Sequence, residues 1–322
     1  MQALLKIAVI IAVANMCIGC AGGGRGYSRA DARRLESART FFEEGRYDAA
    51  LDAYSNIIQA HPSDALLLAE RAAVYDAQGN FNAALADYNR SLAIDPYRSS
   101  VFTSRGNVYA AMGDFDRALS DYNTARECDP RNAENYFFRG LTYRLTERYD
   151  DAVTDYTRAL NFNPDFADAY VYRGNVYVLK EMYDKAISDY TAALALNPQD
   201  GEAYFFRANV YELKKDYALA LNDFDNAIRC NLRFARAYVY RGQVYLYVNR
   251  FQEALADFEA AYALNPKYAV AFFKCGETLQ KTGNKDYAVI AYQRFIAVAS
   301  PDTLASQLEQ ARAALAQLQL SE

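Results

Sequence analysis

The chain has 322 residues, 35 basic against 40 acidic, a formal net charge of −5, one histidine, no tryptophan and 28 tyrosines. The acidic balance argues against a nucleic-acid partner, which calls for a basic stripe, and a single histidine leaves no constellation for a metal or a histidine-based triad. Length alone suggests about two domains. An internal period overrides that prior, because the prolines fall on one 34-residue spacing: Pro62, Pro96, Pro130, Pro164, Pro198 and Pro266, with Leu232 in the remaining slot and Pro301 one residue late. Such regularity calls for a stack of identical supersecondary units.

The chain opens MQALLKIAVIIAVANMCIGC, with Lys6 before a twelve-residue apolar run, Ile7 to Ile18, broken only by Asn15. A bilayer needs about 20 such residues, so the run fits the apolar region of a secretion signal. Ile18-Gly19-Cys20 resembles a bacterial lipoprotein signal, although Cys17 stands where that signal prefers an aliphatic residue. The resemblance implies a signal peptide over 1–19, lipidation at Cys20, and an exported, membrane-anchored lipoprotein on the periplasmic side of the cell envelope. Residues 20–30, rich in glycine, read as a flexible tether. An uncleaved apolar anchor and an ordinary cleaved signal are the alternatives.

Numbering each unit from 1 to 34 gives eight repeats over 31–302. Position 20 is alanine in every one, from Ala50 to Ala288, and position 24 is always aromatic, from Tyr54 to Tyr292. Position 8 is always glycine or alanine. Positions 4, 8 and 11 form the i, i+4, i+7 stripe of one helix and positions 20, 24 and 27 that of a second. A turn lies between them, with glycine at position 15 in Gly45, Gly79, Gly113 and Gly283. Asp or Asn at position 18, as in Asp48, Asn82 and Asp116, is expected to cap the second helix. Residues 303–322 continue as an amphipathic helix, with Leu304, Leu308, Ala311, Leu315 and Leu318 on one face.

These residues resemble the tetratricopeptide repeat. In the fifth unit its small positions fall on Gly174, Ala186 and Ala193, its aromatic positions on Tyr170, Tyr177, Tyr183 and Tyr190, and its proline on Pro198. The resemblance implies an all-α, right-handed solenoid of eight helix-turn-helix units closed by a C-terminal capping helix. It also implies a concave groove, lined by first helices, that holds a protein or peptide partner.

Two polar features remain. His61 stands alone at position 31 and reads as structural. Position 7 is arginine and position 23 aspartate in repeats two to seven, Arg71 to Arg241 and Asp87 to Asp257, and both are absent from repeats one and eight. Pairing within a repeat is expected, since pairing across repeats would strand a charge at each end of the series; an anion-binding arginine row is the alternative. Cys128 and Cys230, at position 30, read as small core residues, and no disulfide is expected.

By the resemblance, first-helix positions 2, 5, 9 and 12 face the groove. The candidate partner-binding residues are Phe137, Val171, Phe205 and Val239 at position 5, Phe138, Tyr172, Phe206 and Tyr240 beside them at position 6, and Asn107, Asn175, Asn209 and Gln243 at position 9. Regular amides satisfy an extended peptide backbone while rings take its side chains. Packing between repeats is the competing assignment for the same residues. The sequence holds no P-loop and no Ser-His-Asp arrangement, so no catalytic residue, metal or cofactor is expected. The expected function is a non-catalytic scaffold of the cell envelope; the alternative is an accessory lipoprotein of a transport, secretion or polysaccharide-export system.

Overall fold

The computed structural model describes residues 27–231 and 233–319. The proposed signal, Cys20, most of the tether and Leu232 therefore lie outside the described residues. Two compact units divide between Tyr172 and Arg173. The first holds α1 (Arg29–Glu43), α2 (Tyr47–Ala60), α3 (Ala65–Ala77), α4 (Phe81–Ile94), α5 (Ser99–Ala111), α6 (Phe115–Cys128), α7 (Ala133–Leu145) and α8 (Tyr149–Phe162). Helix α9 (Ala167–Leu179) spans the division. The second unit continues with α10 (Tyr183–Leu196), α11 (Gly201–Leu213), α12 (Tyr217–Cys230), α13 (Ala235–Tyr247), α14 (Phe251–Leu264), α15 (Val270–Lys281), α16 (Lys285–Val298) and α17 (Pro301–Gln319). The described residues are thus all-helical, in consecutive helix-turn-helix pairs, with no strand among them.

The signature positions make the core. The alanines at position 20 are fully buried in every repeat, and the position-24 rings are at most 2% exposed. Close approach explains the glycines at position 8. A Cβ added to Gly242 or Gly276 would lie 2.7 Å from a ring carbon of Phe258 or Tyr292, below any ordinary contact. Leu308, Ala311 and Leu318 of α17 are buried, so the last helix lays its predicted face on the core of repeat eight.

Capping differs from expectation. The second helices begin at position 17, so Asp48, Asp116, Asp150, Asp184 and Asp286 sit inside their first turns, where a carboxylate favours the positive end of the helix dipole without capping it. The side-chain caps found on second helices come from position 16, where Asn80 and Asp114 accept from the N–H groups of Ala83 and Arg117, and first helices are capped from position 34. Asp64 and Asp200, at position 34, accept from the backbone N–H groups that open α3 and α11. Asp95, Asp129, Asn163, Asn197, Asn231 and Asn265, at position 31, each accept from the N–H two residues on, closing a turn around the proline slot. Position 30 is also corrected. Ile94, Phe162, Leu196 and Leu264 are exposed there, and Cys128 and Cys230 are half-buried free thiols at the rim of the stack rather than core residues.

The turn at position 15 needs a left-handed residue in all eight repeats. Glycine supplies it four times; Glu147, Glu181, Lys215 and Asn249 adopt φ of 56 to 63° in the other four. An L side chain costs about 1–2 kcal/mol in that region, partly offset by glycine's greater freedom in the unfolded chain. Glu181→Gly and Lys215→Gly should each raise stability by about 0.5–1 kcal/mol, read as an increase in urea midpoint. No gain in either variant would mean the turn is relaxed by its neighbours.

Candidate partner-binding face

The arginine–aspartate series pairs within each repeat. Arg71–Asp87, Arg105–Asp121, Arg139–Asp155, Arg173–Asp189, Arg207–Asp223 and Arg241–Asp257 are all bidentate, with Nε and Nη2 donating to the two carboxylate oxygens at 2.7–2.9 Å. A planar fork held by its matching carboxylate is not an anion site. A third limb escaped the sequence reading. Nη1 of Arg71, Arg105, Arg139, Arg207 and Arg241 donates to position 25 of the preceding repeat, at Ser55, Asn89, Asn123, Thr191 and Asp225. The signal was present: position 25 is a short acceptor in each of these.

The position-5 rings are corrected from groove residues to packing residues. Phe205 is 3% exposed and sits among Phe206, Phe224, Phe234 and Tyr240, with ring centroids 5.1–5.8 Å away. Phe137 is equally buried among Phe138, Tyr156, Phe166 and Tyr172 at 4.7–5.8 Å. In both cases the tyrosine at position 6 of the next repeat meets the phenylalanine edge-on, at 5.4 Å for Tyr172 and 5.2 Å for Tyr240. Val171 and Val239 are buried, as is Phe138, while Tyr172, Phe206 and Tyr240 are half-buried. Rings at positions 5 and 6 thus join successive repeats, the competing assignment of the sequence reading.

The amides at position 9 split by the ring beside them. Asn107 and Asn175 accept from the hydroxyls of Tyr122 and Tyr190 at 2.7 Å. Asn209 faces a repeat whose position 24 is Phe224; its Nδ2 donates back to the Phe205 carbonyl at 2.6 Å. Asn175, Asn209 and Gln243 are half-buried, and one helical turn further along each first helix stand Leu179, Leu213 and Tyr247, 54–57% exposed. In the second unit the surface left open by the first helices is therefore a row of amides flanked by large apolar groups at position 13, residues that sequence reasoning passed over because the repeat signature assigns them no role.

In the first unit α3 and α7 carry charged groups at position 12. Asp76, on α3, is 9% exposed, and burial raises its carboxyl to about 7. Arg144, on α7, lies over the Tyr172 ring, its Cζ 5.8 Å from the centroid. His61 touches the Tyr27 ring edge-on and lies 3.4 Å from Asp31, tying the segment before α1 to the first repeat. No group of three His, Cys, Asp or Glu residues is placed to hold a metal among the described residues. No helix among them is long and apolar enough to cross a membrane.

Comparison with known proteins agrees with this architecture. Family models described as tetratricopeptide repeat match residues 35–99, 167–200 and 235–268, and one described as TPR repeat matches 140–181. The matched segments are tetratricopeptide repeats. Among solved structures it is similar to a tetratricopeptide repeat protein from Parabacteroides merdae, at 23% identity over 74% of this chain and 94% of that one, TM-score 0.56. It is also similar to the C-terminal part of a TPR repeat-containing protein from Cytophaga hutchinsonii, at 18% identity over 74% and 98%, TM-score 0.58. A third is the APC/C hetero-tetramer Cut9–Hcn1, at 17% identity over 88% of this chain and 55% of that one, TM-score 0.55. These likenesses concern the fold. Among curated proteins none matches the chain.

Proposed function

We propose that this chain is a non-catalytic scaffold of the bacterial cell envelope, tethered through lipidated Cys20 and holding an extended segment of a protein partner against its first helices. The observation that carries the reading is the row on the second unit, where half-buried Asn175, Asn209 and Gln243 alternate with exposed Leu179, Leu213 and Tyr247. Amides suit a peptide backbone, and large apolar side chains left in water usually mark an interaction surface. The envelope location is supported by the apolar run before Ile18-Gly19-Cys20. The six position-7 arginines are each held by an aspartate, which removes the anion-row alternative.

The test is capture of partners from membrane extract by full-length protein. Asn209→Ala with Leu213→Ser should weaken capture by roughly 30-fold, the weight of a hot-spot contact, and leave melting unchanged, because Leu213 lies outside the core and Asn209 donates to a carbonyl of its own helix. Capture that survives these changes but is lost on altering second-helix residues would place the partner on the other surface. Envelope transport subunits among the captured proteins would favour the accessory-lipoprotein reading over a general scaffold.

The anchor is tested separately. Cys20→Ala should abolish fatty-acid labelling and release the protein into the soluble envelope fraction. A parent protein that never takes label and a variant that stays membrane-bound would make the apolar run itself the anchor.

A further inference from the structure

Second helices end at position 30, and a turn through the proline slot then opens the next first helix, so positions 30 to 34 form one rim of each repeat. In the first unit this rim holds large apolar side chains in water. Ile94 and Phe162, at position 30, are each 43% exposed, and Tyr97, at position 33, is 82% exposed, more than any other exposed large hydrophobic residue among the described residues. The charges there are mixed in sign. Arg98 pairs with Asp95 at 2.9 Å, and in the next repeat Arg131 and Asp129 are both exposed. The chain enters the fold on the same rim. Tyr27, His61, Asp64, Ile94, Asp95 and Arg98 line one open cleft. The Tyr27 hydroxyl donates to Asp64, its ring meets His61 edge-on, and Ser28 caps α1. The start of the fold is therefore pinned beside Ile94.

We propose that this rim of the first unit is a membrane-facing surface, with Ile94, Tyr97 and Phe162 resting in the interfacial layer of the bilayer that holds the anchor. The proposal rests on the reading of Cys20 as that anchor. Seven residue steps lead from Cys20 to Tyr27, and a chain of that length spans at most about 25 Å when fully extended. A lipid at Cys20 thus keeps the Tyr27 end of the rim close to the bilayer. Contacts too weak to hold a free protein then become intramolecular and count. A ring with a polar tip, as at Tyr97, suits the boundary between lipid and water. The mixed charges of the rim make the contact an apolar one that needs no anionic headgroup. The short tether singles out the bilayer as occupant, because it holds this rim at the lipid whether or not a protein partner is bound.

The chain has no tryptophan, so one introduced indole reports one place. Protein expressed from the full-length chain and purified in detergent is reconstituted in phosphatidylcholine vesicles, with and without bromine on the upper acyl chains. The indoles of Tyr97→Trp and Phe162→Trp should emit further to the blue than in water and lose intensity in the brominated vesicles. Met112→Trp is the control. Met112 is 46% exposed just past the far end of α5, a helix of 13 residues, which places it about 20 Å along the axis from the rim. Its indole should emit as in water and keep its intensity. Flotation with the vesicles is scored on the same samples. Protein that floats while either rim indole is quenched no more than the control overturns the proposal and leaves the anchor standing. Rim indoles that stay unquenched and turn blue only when membrane extract is added would give the rim to a protein partner, which also overturns it. Protein that does not float overturns the anchor reading, and the rim falls with it.

Discussion

Replacing Arg139 by alanine should destabilise the protein by about 3–5 kcal/mol, the cost of leaving a buried charge without its partner. Arg139 and Asp155 form the most enclosed pair of the series, 7% and 2% exposed, and the aspartate accepts both donors at 2.7 Å. Burial works against the Arg139 charge, and the hydrogen bonds and charge of Asp155 more than offset it. The double-mutant cycle with Asp155→Ala should show strong coupling, because removing both charges leaves neither stranded. A cycle with Asp121, which belongs to Arg105, should show little. Asn123 lies between these limits, since it accepts only the third limb, from Nη1. Arg139→Met with Asp155→Leu should recover most of the loss, as apolar replacements of buried pairs often do. Urea unfolding monitored by helicity measures all of these. Equal coupling of Arg139 to Asp121 and Asp155 would overturn the within-repeat pairing.

That pairing was legible in the sequence because the two residue types vanish together in repeats one and eight. The core was legible for a similar reason: glycine or alanine at position 8 and a ring at position 24 recur together, and only close helix packing demands both. The side that meets a partner was harder to read. The family resemblance assigns position 5 to the groove, yet Phe137 and Phe205 are buried because a second ring at position 34, Phe166 or Phe234, closes over each from the following turn. The clue lay in co-occurrence, since repeats four and six carry phenylalanine at positions 5, 6 and 34 together. Phe205→Ala is consequently a core truncation and no probe of binding. The caps were misplaced by one turn of logic: an acidic residue near a helix start looks the same in sequence whether it caps the helix or sits within its first turn. Orphaned donors such as the Tyr156 hydroxyl are invisible until burial and partners are known.

Asp76→Asn should remove a pH dependence that the parent protein shows between about pH 4 and 7. The Asp76 carboxyl, taken from 3.8 to about 7 by burial, is on the first-helix side of repeat two, and among the described residues no side chain hydrogen-bonds or pairs with it. Its charge also bears on Tyr88 and Tyr122, whose hydroxyls it disfavours from ionising, after burial in both cases. The sign follows from proton binding. Between the two pKa values the folded protein keeps a proton that the unfolded chain releases, so stability falls as pH rises through this window and levels off above it. Three pKa units correspond to about 4 kcal/mol. The asparagine carries no charge into the site at any pH. The variant should therefore match the parent near pH 4, exceed it by up to about 4 kcal/mol above pH 7, and give a flat profile between. Urea midpoints at pH 4.5, 6 and 8, with ~0.15 M salt to damp exposed charges, resolve the two curves. A parent profile with no decline, or a variant that declines in parallel with it, would show that Asp76 ionises freely in the folded state. A decline confined to the parent would assign the pH dependence of stability to the Asp76 carboxyl.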